Sequence, residues 1–308
     1  MNRLVCVVGP TGTGKSAVAL TLAQTFRGSV INADSRQVFR AFPIITAQPT
    51  VEEQRVCPHH LYGFLDTEAR ISAGTWAEQA LATSNACTEQ GGVPLLVGGT
   101  GLYLRALFDG MVAIPAIPDA IATRLVAECA EDGSERLHER LTTLDPDYAA
   151  RIHPNDRQRI LRALGVFEAT GKRFSWWHSQ TPPPPALEVL RIGLRLPLDT
   201  LAPLLAQRID KMLACGALEE AKAAYAMNTD ARAPGWSGIG CSELHQYLAG
   251  TLSLSDACAL WIKNTRAYAK RQLTWFNADK RILWFAPHET TAILDVVASF
   301  VQERDHKA

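Results

Sequence analysis

The chain has no surplus of charge of either sign: 31 Lys and Arg stand against 31 Asp and Glu over 308 residues. No overall field draws it to nucleic acid or to a membrane, so any such attraction has to come from local patches. It also lacks any run approaching the ~18 consecutive apolar residues of a membrane span. Met1-Asn2-Arg3 leads directly into a strand-like run with no secretory leader, and the expectation is a cytoplasmic protein. Paired cysteines are missing too. The seven (Cys6, Cys57, Cys87, Cys129, Cys215, Cys241, Cys258) are odd in number, scattered and without a C-x-x-C pair, which argues against a disulfide framework and a zinc knuckle. Cys57-Pro58-His59-His60 is too cramped for a tetrahedral metal site and has no second half, so a structural or substrate-adjacent role is expected there. Apolar residues, by contrast, are plentiful at 47% of the chain, enough to bury a large core, and two domains are expected.

The most informative stretch is Gly9-Pro10-Thr11-Gly12-Thr13-Gly14-Lys15-Ser16, which fits the phosphate-loop pattern G-x-x-x-x-G-K-[ST]. The apolar run Leu4-Val5-Cys6-Val7-Val8 precedes it and the helix formers from Ala17 to Ala23 follow it, the strand and helix that the motif requires. Its glycines let backbone N–H groups converge on oxyanions, and the helix N-terminus adds positive charge. The loop residues Gly9, Thr11, Gly12, Thr13, Gly14, Lys15 and Ser16 are therefore the expected cradle for a diphosphate. Lys15 supplies a mobile cation and Ser16 a hydroxyl ligand for Mg²⁺, the one expected cofactor.

Gly28 to Ala33 forms a second strand with Asp34-Ser35-Arg36-Gln37 at its end. Ligands of open α/β sheets bind outside the carboxyl ends of strands, so Asp34 should face the crevice of Lys15. Residues 42–58 lack periodicity and read as a loop, Ala73 to Gln90 as a helix, and Pro94-Leu95-Leu96-Val97 as a third strand running into Gly98-Gly99-Thr100-Gly101 and a helix from Leu102. Repeated strand, glycine turn and helix predict an α/β fold: a P-loop-type doubly wound parallel sheet. From Ile114 the pattern turns helical without strands, so an inserted all-helical domain is expected over residues 113–186, between core segments 1–112 and 187–308. Its clearest helix follows Asn155 and ends at Gly171. From Arg151 to Arg173 there are six basic residues against two acidic, a surplus that suits a polyanion. Four consecutive prolines after Thr181 mark the return to the core; Leu187 to Leu194 reads as a strand, Leu201 to Met227 as one long helix with Arg208 as a site candidate, and Ser255 to Phe276 as a basic and aromatic helix.

The motif does not name its phosphate compound. No apolar strand ends in a Walker-B aspartate, because Leu95-Leu96-Val97 ends in Gly98-Gly99-Thr100, yet a small-molecule kinase using ATP, with Asp34 as base, explains the first hundred residues as well as any rival. It leaves the basic insert without a role.

Taken in order, Gly9 to Ser16, Asp34-Ser35-Arg36-Gln37-Val38, Val97 to Tyr103, Arg157 to Leu164 and Lys270-Arg271-Gln272-Leu273-Thr274-Trp275-Phe276 resemble the tRNA dimethylallyltransferases (tRNA isopentenyltransferases) over nearly the whole chain. The resemblance implies transfer of a dimethylallyl group from its diphosphate to N6 of the adenosine 3′ of the anticodon, in tRNAs reading codons that begin with U. It implies that Asp34, Thr100, Lys15 and Arg208 serve catalysis. It also implies that Asp34, Ser35, Arg36, Gln37 and Gln158, Arg159, Ile160, Leu161, Arg162 touch the tRNA. The implied partners are a tRNA anticodon stem-loop and dimethylallyl diphosphate, with no membrane, and the chain is expected to be a monomer. Where relatives usually carry Lys, Arg and a Tyr-basic pair, this chain has Gln48, Ala122 and Cys241-Ser242, which implies a looser grip on tRNA, with Arg124 as a substitute near Ala122.

Overall fold

The computed structural model describes residues 2–302. Two compact units are present, one of them Asp109–Pro184 and the other formed by the chain before and after it.

The larger unit is built on one six-stranded sheet, entirely parallel, in the order β3-β2-β4-β1-β5-β6. β1 (Asn2–Val8) leads through the phosphate loop into α1 (Lys15–Phe26), and β2 (Gly28–Asn32) follows. Then come α2 (Val51–Val56), β3 (His59–His60), α3 (Ala73–Glu89), β4 (Val93–Val97) and α4 (Gly101–Asp109). A parallel sheet buried on both faces needs near-continuous apolar strands, and VPLLV of β4 is buried at all its positions. Val5, Val7, Val30, Leu95, Val97 and Ile192 pack with α1 in one cluster. Their strand neighbours Leu4, Cys6, Ile31 and Leu96 are equally buried, and α3 lies over β1, β2 and β4.

Two readings of this half need correction. The 42–58 stretch is not all loop: Thr50 accepts from the Glu53 N–H while the Glu53 carboxylate accepts from the Thr50 N–H, and this capping box starts α2. His59 and His60 form an edge strand beside β2, so Pro94–Val97 belongs to the fourth strand in sequence, not the third.

The helical unit holds α5 (Asp119–Asp132), α6 (Ser134–Leu144), α7 (Pro146–Ala149), α8 (Arg157–Thr170) and α9 (Phe174–Ser179) around Leu125, Leu137, Leu141, Ile160, Leu164 and Phe174. The cap of α8 is Asp156, whose carboxylate accepts the Arg159 N–H at 3.1 Å, and not Asn155; Gly171 closes it at φ 67°. The unit's two ends meet, since a Cβ on Gly110 would lie 2.8 Å from the Pro182 carbonyl oxygen.

After it, β5 (Leu187–Leu194) pairs with the full length of β1. The expected single helix over 201–227 is two, α10 (Leu198–Ala214) and α11 (Ala217–Met227), because Gly216 adopts φ 100° after the exposed Cys215. α12 (Cys241–Leu248) and α13 (Leu254–Asn277) precede β6 (Ile282–Phe285) and α14 (Thr290–Gln302). The four-residue ILWF strand was not anticipated: its length is at the lower limit of any periodic signal. No helix among the described residues is long and apolar enough to cross a membrane.

Candidate active site

Two carboxyl strand ends and two helices converge on one pocket of the larger unit. Its lining includes Thr11 of the phosphate loop, Asp34 to Arg36 after β2, Leu205, Arg208, Ile209 and Met212 of α10, and Trp261, Thr265, Tyr268 and Arg271 of α13. The void measures about 280 Å³.

The phosphate loop folds as its sequence dictates. Gly9, Gly12 and Gly14 take φ of 139°, 83° and 82°, and a Cβ on Gly9 would come to 2.2 Å from the Leu194 carbonyl oxygen. Thr13 is buried and its hydroxyl donates to the Pro10 carbonyl at 2.9 Å. Lys15 folds back over the loop and donates to the carbonyls of Gly9 at 2.9 Å and Pro10 at 2.7 Å. Burial lowers its pKa to about 8; the Asp34 carboxylate opposes that shift and the Arg208 guanidinium adds to it. Burial likewise lowers the pKa of Arg208, again against Asp34. Lys15, Arg208 and Asp34 thus share one electrostatic neighbourhood, two cations around one anion.

Asp34 is held by its own strand end. The Asn32 side chain accepts the Asp34 N–H at 2.8 Å and donates to the Asp34 carbonyl at 3.0 Å, while the Asp34 carboxylate accepts the Arg36 N–H at 2.8 Å. Thr100, from the second glycine turn, accepts the Ser35 N–H at 2.9 Å and donates to the Ser35 hydroxyl at 3.3 Å. Tyr268 hydrogen-bonds Thr100, and burial raises its pKa, with Asp34 adding to the shift.

One residue that holds this arrangement was not singled out from the sequence. Gln272, 4% exposed, accepts the Thr11 N–H at 2.9 Å and donates to the Gly99 carbonyl at 3.0 Å. It ties the phosphate loop to the second glycine turn. Gly99 is a glycine for this reason, since a Cβ there would lie 2.0 Å from Gln272 Nε2. A buried Gln in a basic, aromatic helix was the available signal.

The remaining candidates divide between the two units. Ser35, Arg36 and Gln37 lie beside Asp34; Gln37 donates to the carbonyls of Thr46 at 3.0 Å and Ala47 at 2.6 Å, fixing the next loop. Gln158, Arg159 and Arg162 are exposed on α8, Leu161 is half-buried, and Ile160 is 0% exposed in the core of the helical unit. Ile160 is thus corrected from an RNA contact to a core anchor, because the helix turns it inward. Gln48 donates to the Phe39 carbonyl at 2.8 Å and so belongs to its own loop. Arg124 is also corrected as a spare cation: it is shared between Glu128 and Glu168, both of which also pair with Arg140.

Ser16 is exposed in the first turn of α1. Among the described residues no cluster of three or more His, Cys, Asp or Glu side chains is placed to hold a metal.

A family model described as IPP transferase matches residues 37–279. A tRNA dimethylallyltransferase of Nitratidesulfovibrio vulgaris (strain DP4) is 58% identical over 98% of both chains, and one of Oleidesulfovibrio alaskensis is 52% identical over 97% of this chain and 98% of that one. The crystal structure of the full-length tRNA isopentenylpyrophosphate transferase from Bacillus halodurans superposes with a TM-score of 0.72 at 33% identity, covering 99% of each chain. A eukaryotic dimethylallyltransferase acting on tRNA superposes at 0.75 with 29% identity, over 89% of this chain and 70% of that one.

Proposed function

This chain belongs to the IPP transferase family, and from that footing we propose that it transfers a dimethylallyl group from its diphosphate onto tRNA, at N6 of the adenosine 3′ of the anticodon. The observation that carries the reading is the convergence of a phosphate loop, the Arg208 guanidinium and the Asp34 carboxylate on a single pocket, with the Lys15 ammonium in the same electrostatic neighbourhood.

The reaction breaks the bond between the allylic C1 and the bridging oxygen, whose electron pair leaves with diphosphate. The N6 lone pair forms the new C–N bond, and the amine loses one proton. Charge builds on the leaving oxygens, where the N–H groups at the start of α1, Lys15 and Arg208 stabilise it. Mg²⁺, held by Ser16 and the diphosphate, would add positive charge at the same oxygens. Asp34 receives the N6 proton on the carboxylate oxygen that does not hold Arg36. Thr100, fixed on Ser35 and Tyr268, keeps the turn bearing Asp34 at its distance from the loop. The adenine reaches this carboxylate only after leaving its stack, which a single-stranded anticodon loop permits at small cost. The kinase alternative is not favoured, since β4 ends in Gly98-Gly99-Thr100 without a Walker-B aspartate and the family is a transferase one.

The test is mass spectrometry of nucleosides from tRNA incubated with the protein and dimethylallyl diphosphate. The expected product is adenosine carrying one five-carbon unit at N6. Unmodified tRNA, together with phosphoryl transfer from ATP to a small alcohol, would replace this reading with a kinase.

A further inference from the structure

The pocket is chemically divided along its length, and two helices give the direction. On α10, Leu205, Arg208, Ile209 and Met212 face it at helical spacing. Leu205 marks the phosphate end, because a Cβ on Gly12 would lie 2.6 Å from Leu205 Cδ2. Met212 is seven residues further, roughly 10 Å along the axis at 1.5 Å per residue. On α13 the phosphate end is Gln272, bonded to Thr11, and Tyr268, Thr265 and Trp261 recede from it in turn. The α13 lining thus runs from polar groups at the loop to apolar Trp261, and the α10 lining beyond Arg208 is apolar, with Ile209, Met212, Ile239, Trp261 and Ile45 all lining the pocket.

That far end is braced. Trp261 is 2% exposed, and a Cβ on Gly240 would meet its ring at 2.5 Å and Ile45 Cγ2 at 2.7 Å, so these three groups are in close apposition. Ile45 is held from behind by Glu220 of α11, whose carboxylate accepts the N–H groups of Ile44 at 2.7 Å and Ile45 at 2.9 Å. Phosphate binding needs neither this carboxylate nor an apolar wall. An allylic tail needs a dry wall of limited depth.

We propose that this apolar end receives the prenyl tail and that Met212, which lines the pocket and packs in the same apolar cluster as the braced Ile45, limits its length to one isoprene unit. The proposal rests on the dimethylallyl transfer read above. Met212 suits the role because it lies half-buried in the lining, and shortening it opens space without removing a polar partner.

The test compares kcat/KM for dimethylallyl and geranyl diphosphate on tRNA in the native protein, Met212→Ala and the milder Met212→Val, with thermal melting to check folding. The expected result is a rise in the geranyl-to-dimethylallyl ratio of at least about tenfold in Met212→Ala, of the size one or two methylenes supply in an apolar pocket, with a smaller rise in Met212→Val. Transfer of dimethylallyl by the native protein with an unchanged ratio in whichever variant folds would overturn the tail assignment alone. Equal use of both diphosphates by the native protein would overturn it as well. No transfer from either diphosphate would overturn the parent reading and this one with it.

Discussion

Lys15 sits where burial and function oppose each other. Its ammonium is needed opposite a diphosphate, yet desolvation within the loop has drawn its pKa from 10.5 down to about 8. A bound polyanion favours the charged form, so binding is coupled to proton uptake wherever the free lysine is neutral. Affinity for inorganic diphosphate should therefore be flat below pH 8 and fall by up to tenfold per unit above it. Isothermal titration in buffers of different ionisation enthalpy measures that uptake directly, and Lys15→Ala should abolish it. At Asp34 the expectation is kinetic: Asp34→Ala should lower turnover roughly 10²–10⁴-fold, the usual contribution of a positioned general base. Its melting temperature should stay near that of the native protein, because Asn32 still holds the backbone on both sides of the position. Single-turnover prenylation at the native rate would remove Asp34 from the proton transfer.

At the scale of elements, α13 is the strut of the site. Its Gln272 joins two glycine turns that arrive from different strands, and replacing Gly99 by Ala would drive a methyl into that carboxamide. Gly99→Ala should destabilise the fold by ~1–3 kcal/mol through the broken buried hydrogen bonds, read by denaturant unfolding, and weaken diphosphate binding in parallel. On α8 the test is electrostatic. Arg159 and Arg162 are exposed and, among the described residues, Arg159 pairs with Asp156, three residues before it, at 3.4 Å. Replacing both by Ala should flatten the log–log salt dependence of tRNA binding by about 0.7–0.9 for each phosphate that is no longer neutralised. An unchanged slope would make this a solvated helix face. The elements differ in how far the sequence disclosed them. The phosphate loop, Asp34 and the Thr100 turn were legible because each needs glycine or polar residues at fixed offsets from an apolar strand. Gln272 was not, because its partners lie 261 and 173 residues away and no local pattern records such a pairing. The break at Cys215-Gly216 and the strand of Ile282–Phe285 escaped for a simpler reason, being too short to alter the periodicity around them.

For the whole molecule, the balance of 31 charges of each sign means that RNA is not attracted by the protein as a body. Recognition is left to local surfaces, and the helical unit has its own apolar core with which to carry one. Because Gly110 and Pro182 are adjacent, residues 111–181 could be replaced by a short Gly-Ser link with little loop-closure penalty. The shortened protein should keep a cooperative melt and bind inorganic diphosphate, while its affinity for tRNA falls by tenfold or more in a filter-binding assay. Native tRNA affinity in that variant would assign recognition to the larger unit alone.

The break between α10 and α11 leaves the thiol of Cys215 exposed, while Cys6, Cys57, Cys87, Cys129 and Cys241 are buried and Cys258 is half-buried. Burial also pushes the Cys6 thiol up to about 12 and raises those of Cys57, Cys241 and Cys258, which withholds the reactive thiolate. A maleimide dye at neutral pH should therefore mark one position, three residues beyond Met212 and next to Gly216, whose absent Cβ would touch Ile44 at 3.8 Å. The native chain carries its own attachment point for a fluorophore near the Met212 end of the pocket, so filling of that end can be followed by fluorescence in real time without altering a single residue.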